Sequence, residues 1–155
     1  MIPFAQSAFD SQMTIHLEDE TSRLFLLEII SCGRNAHEER FLYRRFSSKV
    51  LIYRGDKLIY RDNTRYEPAE MPMEGMGMYE GYTHMANLFL TKSGLELQEK
   101  IWQILEEEPE ADGGVTRLTT QDLAVRIFGN RAQKLQQIAE KIKNLYVMES
   151  NQTFV

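Results

Sequence analysis

The stretch "KVLIYRGDKLIYRD", residues 49–62, decides the fold of this 155-residue chain. Gly55 and Asp56 separate two similar apolar runs, as a two-residue loop separates the strands of a β-hairpin. Glycine at the first loop position predicts a type II′ turn. Leu51 and Tyr53 share one face of the first strand and face apolar residues of the second run. The stretch therefore predicts an antiparallel hairpin.

Strand patterns extend from this hairpin in both directions along the chain. "QMTIHL" (12–17) alternates apolar with polar residues, which is typical of a half-buried strand. "RLFLLEII" (23–30) is a short continuous apolar run, and "YTHMANLFLT" (82–91) reads as another strand. Between them, Gly33 marks a turn, and the alternation is expected to resume at Phe41.

The apolar period changes to a helical one after residue 92. Ser93 and Glu96 have the spacing of a capping box, which predicts a helix that ends before Pro109. "GVTRLTTQDLAVRIFGN" (114–130) predicts two short strands around a Thr-Thr-Gln turn. A second helix follows, with an apolar stripe formed by Leu135, Ile138, Ile142 and Leu145.

The order of these segments predicts an α+β fold that is mainly β. We expect a β-rich layered-sheet part over residues 1–92. A helix–strand–strand–helix part over residues 93–148 is expected to pack on it, followed by a flexible tail over 149–155.

Composition excludes several classes of protein. The net charge is −5 and the pI is about 5.3, so there is no basic excess to neutralise the phosphates of a nucleic acid. Cys32 is the only cysteine, which excludes an intrachain disulfide and favours a reducing compartment. No window approaches the ~18 apolar residues of a membrane-spanning helix, and the first ten residues do not resemble a signal peptide. These features predict a cytoplasmic protein that binds neither nucleic acid nor membrane.

Candidate metal ligands are present, but no catalytic motif is. Phosphate-binding, hydrolase and zinc-helix motifs are absent from the sequence, so no enzymatic activity is expected. Cys32 and His37 flank the glycine turn, although two ligands do not make a site. "EMPMEGMGMYEGYTHM" (70–85) holds five methionines, and thioethers favour Cu(I). Methionine also fills gaps in cores and adaptable interfaces, and we favour that interpretation here.

Three motifs carry a resemblance to a known family. They are "GRNAHEERF" (33–41), "LIYRDNTRYEP" (58–68) and "MYEGYTHMANLFL" (78–90), and together they resemble the UreD family of urease accessory proteins, called UreH in some species. The opening "IPFAQSAF" (2–9) is similar to the segment that begins the second half of that family.

The resemblance implies a fold and an extent. Members of this family carry a comparable length before the "IPF" segment, so the chain resembles the C-terminal half of a layered, solenoid-like β-sheet protein. We expect the other half to be a separate N-terminal fragment or to be missing. A layered stack divided in this way is expected to expose a strand edge and an apolar layer face.

The resemblance also implies a function. A UreD-like chain is a scaffold that binds apo-urease on one side and UreF on the other, with the GTPase UreG joining through UreF. Nickel reaches the urease active site through this assembly, so no cofactor is expected to bind tightly. The helix over 131–148 is a candidate surface for UreF.

Family motifs mark the candidate residues. Arg34 and Glu39 are expected to form a bidentate ion pair that fixes the turn, or to contact a partner. The candidate partner-binding or structural residues are Gly33, Arg34, Glu39, Asp62, Asn63, Gly81 and Tyr82. The candidate nickel-path or metal residues are Cys32, His37, Glu80 and His84, with Asp62 as a further polar group. A small metal-binding chaperone that uses Cys32 and histidines, and a non-functional fragment, are the alternatives.

Overall fold

The computed structural model describes residues 1–152, and these form two compact units. The first unit comprises residues 1–22 and 30–83, and the second comprises 23–29 and the described residues from 84 onward. The α+β, mainly β class is confirmed, with 38% of residues in strands and 23% in helices. The division differs from the expected boundary at residue 92, because two strands before it share a sheet with the later strands.

Residues 1–152 contain seven strands and two α-helices. They are β1 (Ala8–Leu17), β2 (Phe25–Ser31), β3 (Arg45–Arg54), β4 (Lys57–Tyr66), β5 (His84–Leu90), α1 (Leu95–Glu106), β6 (Ala111–Arg117), β7 (Leu123–Gly129) and α2 (Ala132–Gln152).

The first unit contains a sheet in the order β1-β3-β4, in which β1 is parallel and β4 antiparallel to β3. The predicted hairpin is confirmed, with Gly55 and Asp56 as its two-residue loop. Gly55 has a φ of +57°, whereas Asp56 does not have a positive φ. A type I′ turn requires positive φ at both positions, so the loop matches type II′.

Aromatic rings cover one end of the hydrophobic face of this sheet. Phe46, on β3, is fully buried and stacks on Phe9 at 5.4 Å and on Tyr66 at 6.3 Å between ring centroids. Tyr79 meets the edge of Tyr66 at 5.9 Å and of Phe41 at 4.9 Å. Since Phe41 and Tyr79 belong to loops, the loops form part of this core.

The second unit has an aliphatic core between a sheet and two helices. Its strand order is β2-β5-β7-β6, and every residue of β5 is buried. The predicted helical stripes are confirmed, because Ile101 of α1 and Ile142 of α2 are both fully buried. The buried core residues are Ala86, Leu88, Leu90, Leu97, Ile101, Leu105, Leu123, Val125, Ile127, Leu135, Ile138, Ala139, Ile142 and Tyr146.

The predicted capping box at Ser93 is wrong. Gly94 is the N-cap residue of α1, and no side chain caps that end. Ser93 is 1% exposed, and its hydroxyl donates to the carbonyl of Thr91 at 3.0 Å. Its amide donates to the carbonyl of Gln121 at 2.7 Å. These bonds direct the Ser93 side chain away from the helix.

The end of α2 also differs from the prediction. The helix continues over residues 149–152, which we expected to belong to a flexible tail, and residues 153–155 lie outside the described part. Ser150 lies in this extension, where its hydroxyl donates to the carbonyl of Tyr146 at 2.9 Å. Arg23 of the same unit donates to the Ser150 hydroxyl. These side-chain contacts therefore stabilise a helix end that its composition alone predicts to be flexible.

Candidate functional site

A closed loop over residues 32–42 begins at the end of β2. The amide of Phe41 donates to the carbonyl of Cys32 at 2.8 Å, which closes the loop at its base. Gly33 has a φ of +148°, and a Cβ there would lie 2.5 Å from the carbonyl oxygen of Glu39. Only glycine fits both the conformation and the space, so this position depends on glycine.

The predicted ion pair between Arg34 and Glu39 is present. Nε of Arg34 lies 3.1 Å from both carboxylate oxygens of Glu39, and a second guanidinium nitrogen also donates to it. The amide of Ala5 donates to Oε2 of Glu39 at 3.2 Å. Hydrogen bonding to Arg34 lowers the pKa of Glu39 and raises the pKa of Arg34. The pair fixes the loop and ties the N-terminal segment to it.

The methionine-rich stretch forms a second loop, residues 70–83, built from successive turns. The amide of Gly75 donates to the carbonyl of Pro72 at 2.9 Å, and the carboxylate of Glu80 accepts from the amide of Gly77 at 3.0 Å. Met73 is 4% exposed, whereas Met76 is 94% exposed. The stretch therefore has one methionine packed inward and another directed into solvent.

Arg40 joins the two loops. Its guanidinium donates to the carbonyl of Gly81 at 3.2 Å and forms an ion pair with Glu74. The amide of Cys32 donates to the carbonyl of Thr83 at 2.7 Å. Together with the contact between the Phe41 and Tyr79 rings, these bonds make the loops one structure. We call residues 1–7, 32–42 and 70–83 the loop platform.

Large apolar side chains are exposed on the loop platform. Ile2 is 57% exposed, Phe4 55% and Leu42 50%, in addition to Met76. The guanidinium of Arg34 lies 4.9 Å from the centre of the Phe4 ring, which positions that ring beside the ion pair. These exposed apolar groups make the loop platform a candidate protein-binding surface.

The candidate metal residues do not form one cluster. Among residues 1–152, no group of three or more His, Cys, Asp and Glu side chains has the arrangement to hold a metal ion. His37 is exposed in a short 3-10 turn, and the carboxylate of Glu80 accepts the hydrogen bond from Gly77. His84 belongs to the second unit, on β5, where burial lowers its pKa.

Cys32 is a buried thiol. Its side chain is completely inaccessible, and burial raises its pKa. A thiol that stays protonated is a poor nucleophile and a poor metal ligand. Its position at the base of the 32–42 loop gives it a packing role.

The remaining motif residues are divided between the sheet and the loop platform. Asp62 and Asn63 lie within β4, which continues to Tyr66. Gly81 has a φ of +88° and accepts from Arg40. The amide of Tyr82 donates to the carbonyl of Tyr79 at 2.9 Å.

Sequence reasoning missed Arg40, Glu74 and Phe4. Arg40 lies inside the "GRNAHEERF" motif, yet its partners are 34 and 41 positions further along the chain. No local pattern identifies such partners. An exposed Phe4 close to a motif arginine is likewise visible only in three dimensions.

Comparison with known proteins identifies relatives over nearly the whole chain. The family described as "UreD urease accessory protein" matches residues 1–152. Urease accessory protein UreH of Helicobacter pylori strain G27 is 35% identical over 145 residues, which cover 94% of this chain and 54% of that protein. UreH of Helicobacter acinonychis is 37% identical over 145 residues, with 94% and 54% covered. UreD of Acetivibrio thermocellus is 34% identical over 146 residues, with 93% and 55% covered.

The chain spans about half the length of these curated relatives. Within residues 1–152, neither helix is long and apolar enough to cross a membrane. The match over residues 1–152 includes all three sequence motifs and both units. The chain therefore belongs to the UreD family of urease accessory proteins.

Proposed function

We propose that this chain is a cytoplasmic, non-catalytic scaffold in urease maturation. The observation that carries the proposal is the family match over residues 1–152, together with relatives named urease accessory proteins. In this role the chain binds apo-urease and UreF, and UreG joins through UreF. Nickel passes to urease within the assembly, and this chain holds no tightly bound cofactor.

The construction of the loop platform supports a binding role. Three interactions fix its backbone. Gly33 lies close to the carbonyl of Glu39, and the carboxylate of Glu39 accepts from the amide of Ala5. The guanidinium of Arg40 joins the two loops through the carbonyl of Gly81. A surface that is already ordered loses less conformational entropy on binding, so its contacts contribute more to affinity. Phe4 and Met76 then present apolar groups to a partner without rearrangement of the loops.

The length of the relatives adds a further partner to the proposal. The match covers 54% of the Helicobacter pylori protein, so almost half of that protein lies outside the matched region. We propose that a separate N-terminal fragment of the family associates with this chain in the working assembly.

Co-purification tests the proposal directly. The tagged full chain is mixed with apo-urease and UreF, with and without a fragment that corresponds to the unmatched part of the relatives. We expect a complex that elutes as one species in size-exclusion chromatography. No association under any of these conditions would rule the scaffold out.

Substitution of Phe4 separates the loop platform from other surfaces. Phe4→Ala removes an exposed ring, while Leu95→Ala removes an exposed apolar side chain of the second unit, where Leu95 is 76% exposed. If the loop platform binds a partner, Phe4→Ala weakens the complex and Leu95→Ala does not. Equal effects would place the contact elsewhere.

A further inference from the structure

The β3–β4 hairpin has a charge opposite to that of the chain. Residues 45–66 contain six Arg and Lys against two Asp, which is a net charge of +4. The whole chain has a net charge of −5, so the remaining residues carry −9. Positive charge is thus concentrated in one element of an acidic protein.

Strand register places four of these six side chains on one face. In β3, residues 45 and 49 alternate with the buried positions, so they point away from the hydrophobic face. Arg61 pairs across from Leu51 and Arg65 across from Ser47, which puts both on this same side. Arg61 and Arg65 are exposed, and Lys49 is partly exposed. We call Arg45, Lys49, Arg61 and Arg65 the basic face.

Two of the four cations of the basic face form no ion pair among the residues that the structure describes. Arg45 forms an ion pair with Asp10, and Arg65 forms one with Glu67 at 3.1 Å. Within residues 1–152, Lys49 and Arg61 have no such carboxylate partner. Exposed ion pairs contribute at most about 1 kcal/mol, so replacement of these partners by an external carboxylate costs Arg45 and Arg65 little free energy. The face therefore presents cationic groups whose counter-charges are absent or replaceable.

A flat aromatic contact lies beside the cations. His16 of β1 is opposite Tyr53 of β3, and their rings stack at 5.2 Å between centroids. His16 is exposed and Tyr53 is partly exposed. Aromatic residues and arginines are the side chains that most often dominate protein–protein interfaces.

The composition of this face argues against two other uses. A face that stacks on another sheet is apolar, and four cationic side chains are incompatible with such burial. A polyphosphate is disfavoured by the carboxylates of Asp10 and Glu67 on the same surface and by the acidic remainder of the chain.

We propose that the basic face docks a folded protein partner whose surface carries carboxylates. The inference rests on the proposed function, and it assigns this face to one of the two proteins that the scaffold binds. Complementary charge accelerates encounter and sets the register of the complex. The His16–Tyr53 stack provides the apolar part of the contact.

Charge reversal of the two unpaired cations tests the inference. The full chain and the variant Lys49→Glu/Arg61→Glu are titrated separately against purified apo-urease and purified UreF. The control is Lys100→Glu, which reverses a charge at an exposed position of α1 in the second unit, outside the 131–148 helix. We expect the first variant to lose at least about tenfold in affinity for one partner, and the control to bind normally. Wild-type affinity for that partner falls as salt increases.

The outcomes separate this inference from the scaffold role. If the wild-type chain binds a partner and the charge-reversed variant binds it equally well, the inference is overturned while the scaffold role stands. If the wild-type chain binds neither protein, both fail. Circular dichroism checks folding, and Lys49→Gln/Arg61→Gln replaces the first variant if that one does not fold.

Two other occupants give distinct results. The face is a nucleic-acid site if a duplex oligonucleotide binds the wild-type chain but not the charge-reversed variant. In that case apo-urease and UreF bind the wild-type chain and the variant equally well. If sedimentation shows a dimer of the chain alone that the variant loses, the face binds a second copy. Either result overturns the proposal of an acidic protein partner.

Discussion

The two units reach an ordered state by different means. The second unit packs aliphatic side chains of α1, α2 and the four-stranded sheet into a continuous core. The loop platform of the first unit is ordered by single interactions, namely the close approach at Gly33, the carboxylate of Glu39 and the guanidinium of Arg40. Many interchangeable contacts support the second unit, whereas the loop platform depends on these few specific contacts in addition to the packed rings of Phe41 and Tyr79.

Stability and partner binding therefore depend on different parts of the molecule. Removal of a core methyl group affects the free energy of unfolding and leaves the exposed surface unchanged in the molecules that remain folded. A change at Gly33, Glu39 or Arg40, in contrast, alters the surface of the loop platform itself.

Ile142→Ala tests the aliphatic core. Ile142 is 0% exposed on α2, and we expect its truncation to lower the free energy of unfolding by about 2–5 kcal/mol. Urea denaturation measures the change. Val147→Ala is the control on the same helix, since Val147 is 45% exposed and its loss changes stability by less than about 0.5 kcal/mol. Equal effects of the two substitutions would contradict the core described here.

Gly33→Ala tests the loop platform. The backbone conformation and the 2.5 Å approach to Glu39 both exclude a Cβ, so we expect a cost of about 1–3 kcal/mol and displacement of the 32–42 loop. Unlike Ile142→Ala, this variant should lose partner binding even when it is fully folded. Gly114→Ala is the control, because a Cβ there meets nothing within 4 Å. Normal binding by folded Gly33→Ala would show that the loop geometry is unimportant for binding.

Glu39→Gln tests the ion pair through pH. Arg34 holds the pKa of Glu39 below its ordinary value of 4.5, so the pair stabilises the fold above that pH. This stabilisation is lost as the pH falls through the lowered pKa. We expect the urea midpoint of the wild-type chain to fall more between about pH 7 and pH 3 than that of Glu39→Gln.

The exposed pair of Arg40 and Glu74 provides the control for that experiment. Glu74 is more accessible than Glu39, with 59% of its side chain exposed against 11%. Glu74→Gln should therefore retain the pH dependence of the wild-type chain. If Glu39→Gln also retains it, the buried carboxylate is not linked to folding.

Lys100→Gln has the smallest expected effect. Lys100 forms an exposed i,i+4 pair with Glu96 on α1, at 3.0 Å. Such pairs contribute about 0.3–0.5 kcal/mol, so the urea midpoint should scarcely move. A loss comparable with that of Ile142→Ala would mean that surface charge, rather than the aliphatic core, stabilises the second unit.

Local periodicity made much of this fold predictable. The hairpin around Gly55 follows from two adjacent runs and the turn that joins them. The stripe that contains Ile138 and Ile142 follows from helical spacing. The pair of Arg34 and Glu39 was also predictable, because the two residues are five positions apart within one turn.

Other features depend on partners distant in sequence. The bond between Arg40 and Gly81 spans 41 residues, and no pattern in either loop encodes it. Ser93 has the spacing of a helix cap, but its hydroxyl donates to the carbonyl of Thr91 instead. The charge of the β3–β4 hairpin was visible in the sequence. The strand register was needed to show that Lys49 and Arg61 lie on the same face.

Association with urease-maturation proteins is the decisive measurement for the scaffold role. The tagged full chain, apo-urease and UreF are mixed, with a fragment for the unmatched part of the relatives added in parallel, and the mixture is resolved by size-exclusion chromatography with mass detection. A scaffold predicts a stoichiometric complex that contains the chain. Elution of the chain apart from both proteins, even with the fragment present, would contradict the account.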